Sequence, residues 1–284
     1  MAPPAAAVAY CRQLLRRHDR DRYLASLFAP DEARPQLWGL YAFSCEIGRI
    51  PDAVTDPAPG EIRLTWWTQA IEALFAGDPI DHPVAQTLTS ACRAGNLPQQ
   101  AFIDLIEARR FDLYRDPMPS LGDLEGYLGE TASAVVQLAA LVLDRENAGA
   151  AASAAGFAGV AHGLVGLLRS LPLHRARGQC YVPRDVLARH GIEPEDVLSG
   201  RQDARMSETL SELRMLAIRR LGEARSLLHQ IPPAALPAFL PTALVEPYAA
   251  RLARAGTSAL RANTDMPQIA RLLHLWRAAR GACF

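Results

Sequence analysis

Lysine is absent from this sequence, so all thirty of its basic residues are arginine. Arginine stays charged wherever the fold places it and grips carboxylate or phosphate with a planar fork. An excess of either charge is missing too, because thirty acidic residues offset the thirty basic ones. No net field therefore draws the whole molecule towards nucleic acid or an anionic membrane. Cysteine is sparse: Cys11, Cys45, Cys92, Cys180 and Cys283 are scattered, with no CxxC pair and no histidine at zinc-binding spacing. An odd, dispersed set argues against a disulfide framework and fits reduced thiols in a cytosol-like compartment.

Long apolar runs are also lacking. The longest, Ala132 to Val142, contains Gln137 and is too short to cross a bilayer. The Ala/Pro-rich start is followed by Arg12, Arg16 and Arg17, the wrong order for a secretory signal. The expectation is a cytoplasmic protein that touches a membrane, such as the inner membrane, only peripherally. Strand-like alternation, internal repeats and linker-length low-complexity stretches are missing as well.

What is present is helical periodicity. Tyr10 to Leu27, Glu32 to Ile50, Ile62 to Phe75, Pro83 to Ala94 and Pro98 to Tyr114 each carry an apolar stripe between proline or glycine stops. Ser120 opens Leu121 to Leu143, read as two nearly apolar helical runs, and Ala/Gly-rich Ala150 to Leu171 suits close packing. A short helix over Asp185 to His190, a long amphipathic one over Ser207 to Gln230 and two closing helices complete the pattern. The predicted architecture is all-α, one domain over residues 1–284, with about ten or more helices.

Several stretches, in order, resemble the squalene/phytoene synthase family of head-to-head prenyl transferases. They are Tyr41-Ala-Phe-Ser-Cys45, Leu124-Glu-Gly-Tyr127 with Thr131-Ala-Ser-Ala-Val135, Leu167-Leu-Arg169, and Gly178-Gln-Cys-Tyr-Val-Pro183. The resemblance runs from about Cys11 to Leu187 and implies an isoprenoid-synthase-like helical bundle with a central cavity. It also implies two acidic motifs whose aspartates, four residues apart, stack on one helix face. Such facing carboxylates hold magnesium ions against a substrate diphosphate.

Here the resemblance aligns Gly48, Arg49 and Asp52 with the first motif, and Ser170 and His174 with the aspartates of the second. Of four carboxylates, Asp52 alone remains. Arg49, Arg169, Arg175 and Arg177 oppose a divalent cation, and Pro51 and Pro172 are expected to kink the helices that carried the motifs. The N-terminal stretch that binds substrate in the family reads Asp19-Arg20-Asp21-Arg22-Tyr23 and departs from its pattern. Leu168-Arg-Ser-Leu-Pro-Leu-His174 and Glu46-Ile-Gly-Arg-Ile-Pro-Asp52 resemble more closely the family's mitochondrial branch, an assembly factor for respiratory complex I. The lack of a transit peptide suggests a bacterial counterpart. The resemblance thus implies a protein without a confident catalytic residue and without a cofactor. It would act in complex I assembly, with complex I subunits or assembly intermediates as partners and an isoprenoid or other lipid as a candidate ligand. The alternative is an active prenyl transferase with a divergent site, which would need magnesium.

Individual residues follow from these readings. Asp52 and Asp56 keep a four-residue spacing and are the weak candidates for a relocated metal site, against solvated residues at a helix end. His174 is a structural residue, a base or a metal ligand, with Asp52 as its expected partner, and a His– or Arg–carboxylate pair there would substitute for the lost metal bridge. Arg169, Arg175, Arg177 and Tyr181 are candidates for a metal-free anion pocket. Tyr41 is a further ligand-binding candidate, as is Glu130, expected to be buried with an Arg or Tyr partner. Arg109 and Arg110 with Asp112 and Asp116 read as surface pairs. Trp66-Trp67 read mainly as core, since neighbouring helical residues point apart.

Overall fold

Polar caps and prolines decide where the helices of this chain begin. A computed structural model describes residues 3–281 and 283–284, and no strand occurs among them. The periodic segment near the N-terminus divides into α1 (Ala5–His18) and α2 (Arg20–Ser26), because Asp19 leaves helical geometry and its side chain accepts the Arg22 backbone N–H at 3.2 Å. Next come α3 (Arg34–Gly48), α4 (Pro57–Ala76), α5 (Pro83–Gly95) and α6 (Gln99–Arg109). Ser120 caps α7 (Leu121–Leu128), which continues through a π turn over Gly129–Ser133 into α8 (Ala134–Leu143). After α9 (Ala152–Arg169) the chain makes three short helices, α10 (Leu171–Ala176), α11 (Arg184–Arg189) and α12 (Pro194–Ser199). The long α13 (Ala204–Ser226) is followed by the single turn α14 (Leu236–Phe239), then α15 (Val245–Ala255) and α16 (Gln268–Gly281).

At the centre α9 lies along α13 and across α8 and the π turn. Close approach requires Gly159, where a Cβ would stand 2.2 Å from the Ser133 Cα. Gly39 does the same for α3 against α5, with the Thr87 carbonyl carbon 2.8 Å from any added Cβ. The segments Leu121–Leu143 and Ala148–Arg169 have the length and hydropathy of membrane spans, which the short run noted in the sequence did not suggest. Here they form the packed centre, with just over half of each apolar window buried.

Pro51 and Pro172 do not kink helices as expected. α3 has already ended when Pro51 enters a 3-10 turn over Ile50–Ala53, and Pro172 sits in the first turn of α10. A missing N–H is harmless in a first turn, so both prolines restart the chain in a new direction. Beside a pocket of about 100 Å³ lined by Leu168, Leu171, Leu210 and Leu252, a cavity of about 10 Å³ lies between α7, α9 and α13, lined by Leu124, Leu164, Leu168, Tyr181 and Leu213. That is room for about one water.

Candidate functional site

The end of α3, the end of α6, α7 and α10 converge on one buried polar cluster. Gly48 closes α3, and a Cβ there would lie 3.5 Å from the Arg109 guanidinium carbon. The Arg109 guanidinium therefore lies in van der Waals contact with that position. Arg109 donates to Asp112 at 3.0 Å and to the Tyr127 hydroxyl at 2.6 Å. Tyr127 and Tyr181 both donate to Asp112, at 2.8 and 2.6 Å. Burial works against the Arg109 charge, but the Asp112 carboxylate more than offsets it and holds its pKa above the usual arginine range. Burial likewise drives the Tyr127 and Tyr181 hydroxyls well above the ordinary tyrosine range. One positive and one negative charge, two neutral phenols: the cluster is neutral.

His174 packs against Tyr181 with ring centroids 4.5 Å apart and planes tilted by 54°, and its buried Nδ1 has no hydrogen-bond partner. Burial, reinforced by Arg177 and Arg109, pushes its pKa down to about 3. It is a neutral packing residue at physiological pH. The expected His174–Asp52 pair does not form. Asp52 instead accepts from Arg177 at 2.6 Å, the arginine–carboxylate form of the bridge. The pair lies beside a surface cleft of about 190 Å³ whose wall includes Pro51, Asp56, Asp112, Arg115 and Arg177.

Other sequence expectations need correction. Asp52 and Asp56 do not share a helix face, because Val54 between them is extended and Asp56 instead stands at the N-terminus of α4. Arg169, Arg175 and Arg177 do not gather into an anion pocket. Arg175 is consumed by the backbone carbonyls of Val197, Leu198 and Leu260. Arg169 bridges Asp21 at 2.9 Å and Asp265 at 2.7 Å. Ser170 is the hinge residue between α9 and α10, and Arg49 caps α3 with its backbone. Tyr41 is 2% exposed and lies under the Arg22 guanidinium, 5.7 Å from its ring centre. Glu130 is exposed with no ion pair among the described residues, because the π turn rotates it outward from an otherwise apolar helix. Arg109 and Asp112, read as a surface pair, are the buried heart of the site: Asp112 is 5% exposed. Trp67 is core, while Trp66 stands 40% exposed against it at a cleft shared with His82.

A second cluster was not foreseen. Arg271, 1% exposed, binds Asp21 at 2.6 Å and also pairs with Asp265. The Tyr248 hydroxyl donates to Asp21 at 3.0 Å, and Arg169 covers the Tyr248 ring at 3.5 Å. Two carboxylates face two guanidiniums, so this cluster is neutral as well. Asp21 lies between Arg20 and Arg22 in a charged run, so nothing local set it apart from solvated neighbours.

Magnesium does not fit this arrangement. Among the described residues no three His, Cys, Asp or Glu side chains converge. The one carboxylate at the expected motif positions, Asp52, is already neutralised, and a fixed guanidinium faces Gly48.

Residues 15–272 match the model of the squalene/phytoene synthase family. The chain belongs to that family. A rat relative, NADH dehydrogenase (ubiquinone) complex I, assembly factor 6, is 34% identical over 245 residues, covering 86% of this chain and 73% of the rat protein. The human protein of the same name is 31% identical over the same shares. A 15-cis-phytoene synthase of Synechococcus elongatus is 26% identical, over 72% of this chain and 70% of the synthase. Among solved structures, a dehydrosqualene synthase in complex with ligand superposes with a TM-score of 0.81 over 97% of both chains at 17% identity. The squalene synthase HpnC of Alicyclobacillus acidocaldarius gives 0.77 at 24% identity, over 88% of this chain and 94% of its own. These likenesses establish the isoprenoid-synthase helical fold. The assembly-factor relatives are eukaryotic, so nothing in the comparisons favours the expected bacterial, cytoplasmic setting.

Proposed function

We propose that this member of the squalene/phytoene synthase family is non-catalytic and acts in the assembly of respiratory complex I. The observation that carries the reading is the Arg109 guanidinium in front of Gly48. Departure of an allylic diphosphate needs cations that are free to bind its oxygens. Here the cation is built into the protein and is already satisfied by Asp112 and Tyr127. Arg169, Arg175 and Arg177 are each engaged with a carboxylate or with backbone carbonyls, so none of these three forks is free to take the metal's place.

The relationship to the assembly factors supports the positive half of the proposal, with complex I subunits or assembly intermediates as the partners. The pockets along α9 and α13, about 100 and 10 Å³, are small for a prenyl chain and weigh against one held there. Deleting the gene should lower assembled complex I, measured as NADH oxidation by isolated membranes, and the wild-type gene should restore it. Normal complex I in the deletion strain rejects the assembly role. Separately, purified protein given farnesyl or geranylgeranyl diphosphate with magnesium should form no condensed product. Product that disappears on Asp52→Asn would establish the transferase alternative.

A further inference from the structure

The helix α16 carries an apolar stripe on its solvent face as well as on its buried one. In α16 the inward side presents Arg271 and Leu275, 1% and 0% exposed, with Leu272 packed beside them. On the opposite side Ile269, Leu273 and Trp276 are 74%, 49% and 47% exposed. Their spacing of four and then three residues places them in one stripe about 10 Å long. Arg280 lies over the Trp276 ring at 4.7 Å, and Arg277 is exposed beside it. No aspartate or glutamate occurs between residues 268 and 281.

From this we infer that the outer face of α16 docks onto an anionic lipid surface, lying in the interface with Ile269, Leu273 and Trp276 inserted and Arg277 and Arg280 on the lipid phosphates. An apolar stripe combined with guanidiniums and a tryptophan is the chemistry that a headgroup–acyl boundary accepts. The tryptophan body enters the apolar layer while its N–H remains near water. Charge selects this occupant over a second copy of the chain. A two-fold contact through α16 would bring the same patch against itself, with no carboxylate on either helix to meet the guanidiniums. The neutral charge of the whole chain leaves the attraction local to this face. The inference is independent of the assembly role, since it rests on α16 and not on the buried clusters.

The test is co-sedimentation of the full chain with vesicles of phosphatidylcholine alone, or of phosphatidylcholine with phosphatidylglycerol. Wild type should bind the anionic vesicles, and each arginine near such a surface should strengthen binding about fivefold at low salt. Arg277→Gln with Arg280→Gln should therefore weaken binding about thirtyfold and remove its salt dependence. Ile269→Ser, Leu273→Ser and Trp276→Ser together should abolish binding. All these side chains face solvent, and an unchanged melting temperature will show that the variants fold. Trp276 emission should shift to the blue on binding, seen as the signal that Trp276→Phe removes. Wild type that remains in the supernatant with anionic vesicles overturns the proposal. So does undiminished binding by the serine variant, or a dimer in solution that the serine variant dissolves.

Discussion

Arg109 and Arg177 each pair with one aspartate, yet their surroundings assign them different weights. Asp112 keeps 3% of its side chain exposed, whereas Asp52 keeps 31%. Arg109→Met strands a buried carboxylate with only phenol donors left, and should lower stability by about 3 kcal/mol. Arg177→Met removes a largely solvated pair and should cost less than about 1 kcal/mol. Urea denaturation of both variants tests the contrast, and equal losses would mean that Asp112 is hydrated in solution. His174 yields a pH prediction. Its pKa falls from 6.5 to about 3 on folding, so between those values the unfolded chain takes up a proton that the native state refuses. Stability is therefore greatest above pH 6.5 and declines as the pH falls through that window, by up to about 1.4 kcal/mol per unit. His162, lowered to about 4 by burial, acts in the same direction. His174→Phe keeps the contact with Tyr181 and should remove the largest single share of the decline, measured as urea midpoints from pH 7 to 4.5.

At the level of helices, α9 offers a controlled comparison. Gly159→Ala drives a methyl into the Ser133 backbone of the π turn and should cost about 3 kcal/mol or more, lowering the melting temperature by several degrees. Gly156→Ala meets nothing within 4 Å and should stabilise by up to about 1 kcal/mol through helix propensity. Similar melting temperatures for the two would mean that α9 and the π turn do not approach as closely as described. Helix positions were largely legible in the sequence because apolar spacing and Pro or Gly stops act locally. The division at Asp19 and the π turn at Glu130 were not: each depends on where one side chain can find a partner or solvent, which periodicity does not encode. The site was legible by halves. The gaps at Gly48, Ser170 and His174 could be read from motif spacing. The filling could not, because Arg109 and Asp112, three residues apart, look like any exposed helical pair until Tyr127 and Tyr181 close over them from 18 and 69 residues away.

Taken whole, the molecule is a prenyl-transferase fold with its charges settled internally. Magnesium, alone or with inorganic pyrophosphate, should leave the melting temperature unchanged, since a ligand that binds the native state with useful affinity would raise it. A magnesium-dependent rise would locate a metal site that the geometry does not provide. The cluster around Asp21 has a different bearing. Its partners are Arg169, Tyr248 and Arg271, all distant in the chain, and Arg271 belongs to the final helix. While the chain emerges from the ribosome, that aspartate has Arg169 within reach long before α16 brings Arg271. Nascent chains that stop short of α16 should therefore persist as holdase clients, released once that helix is made.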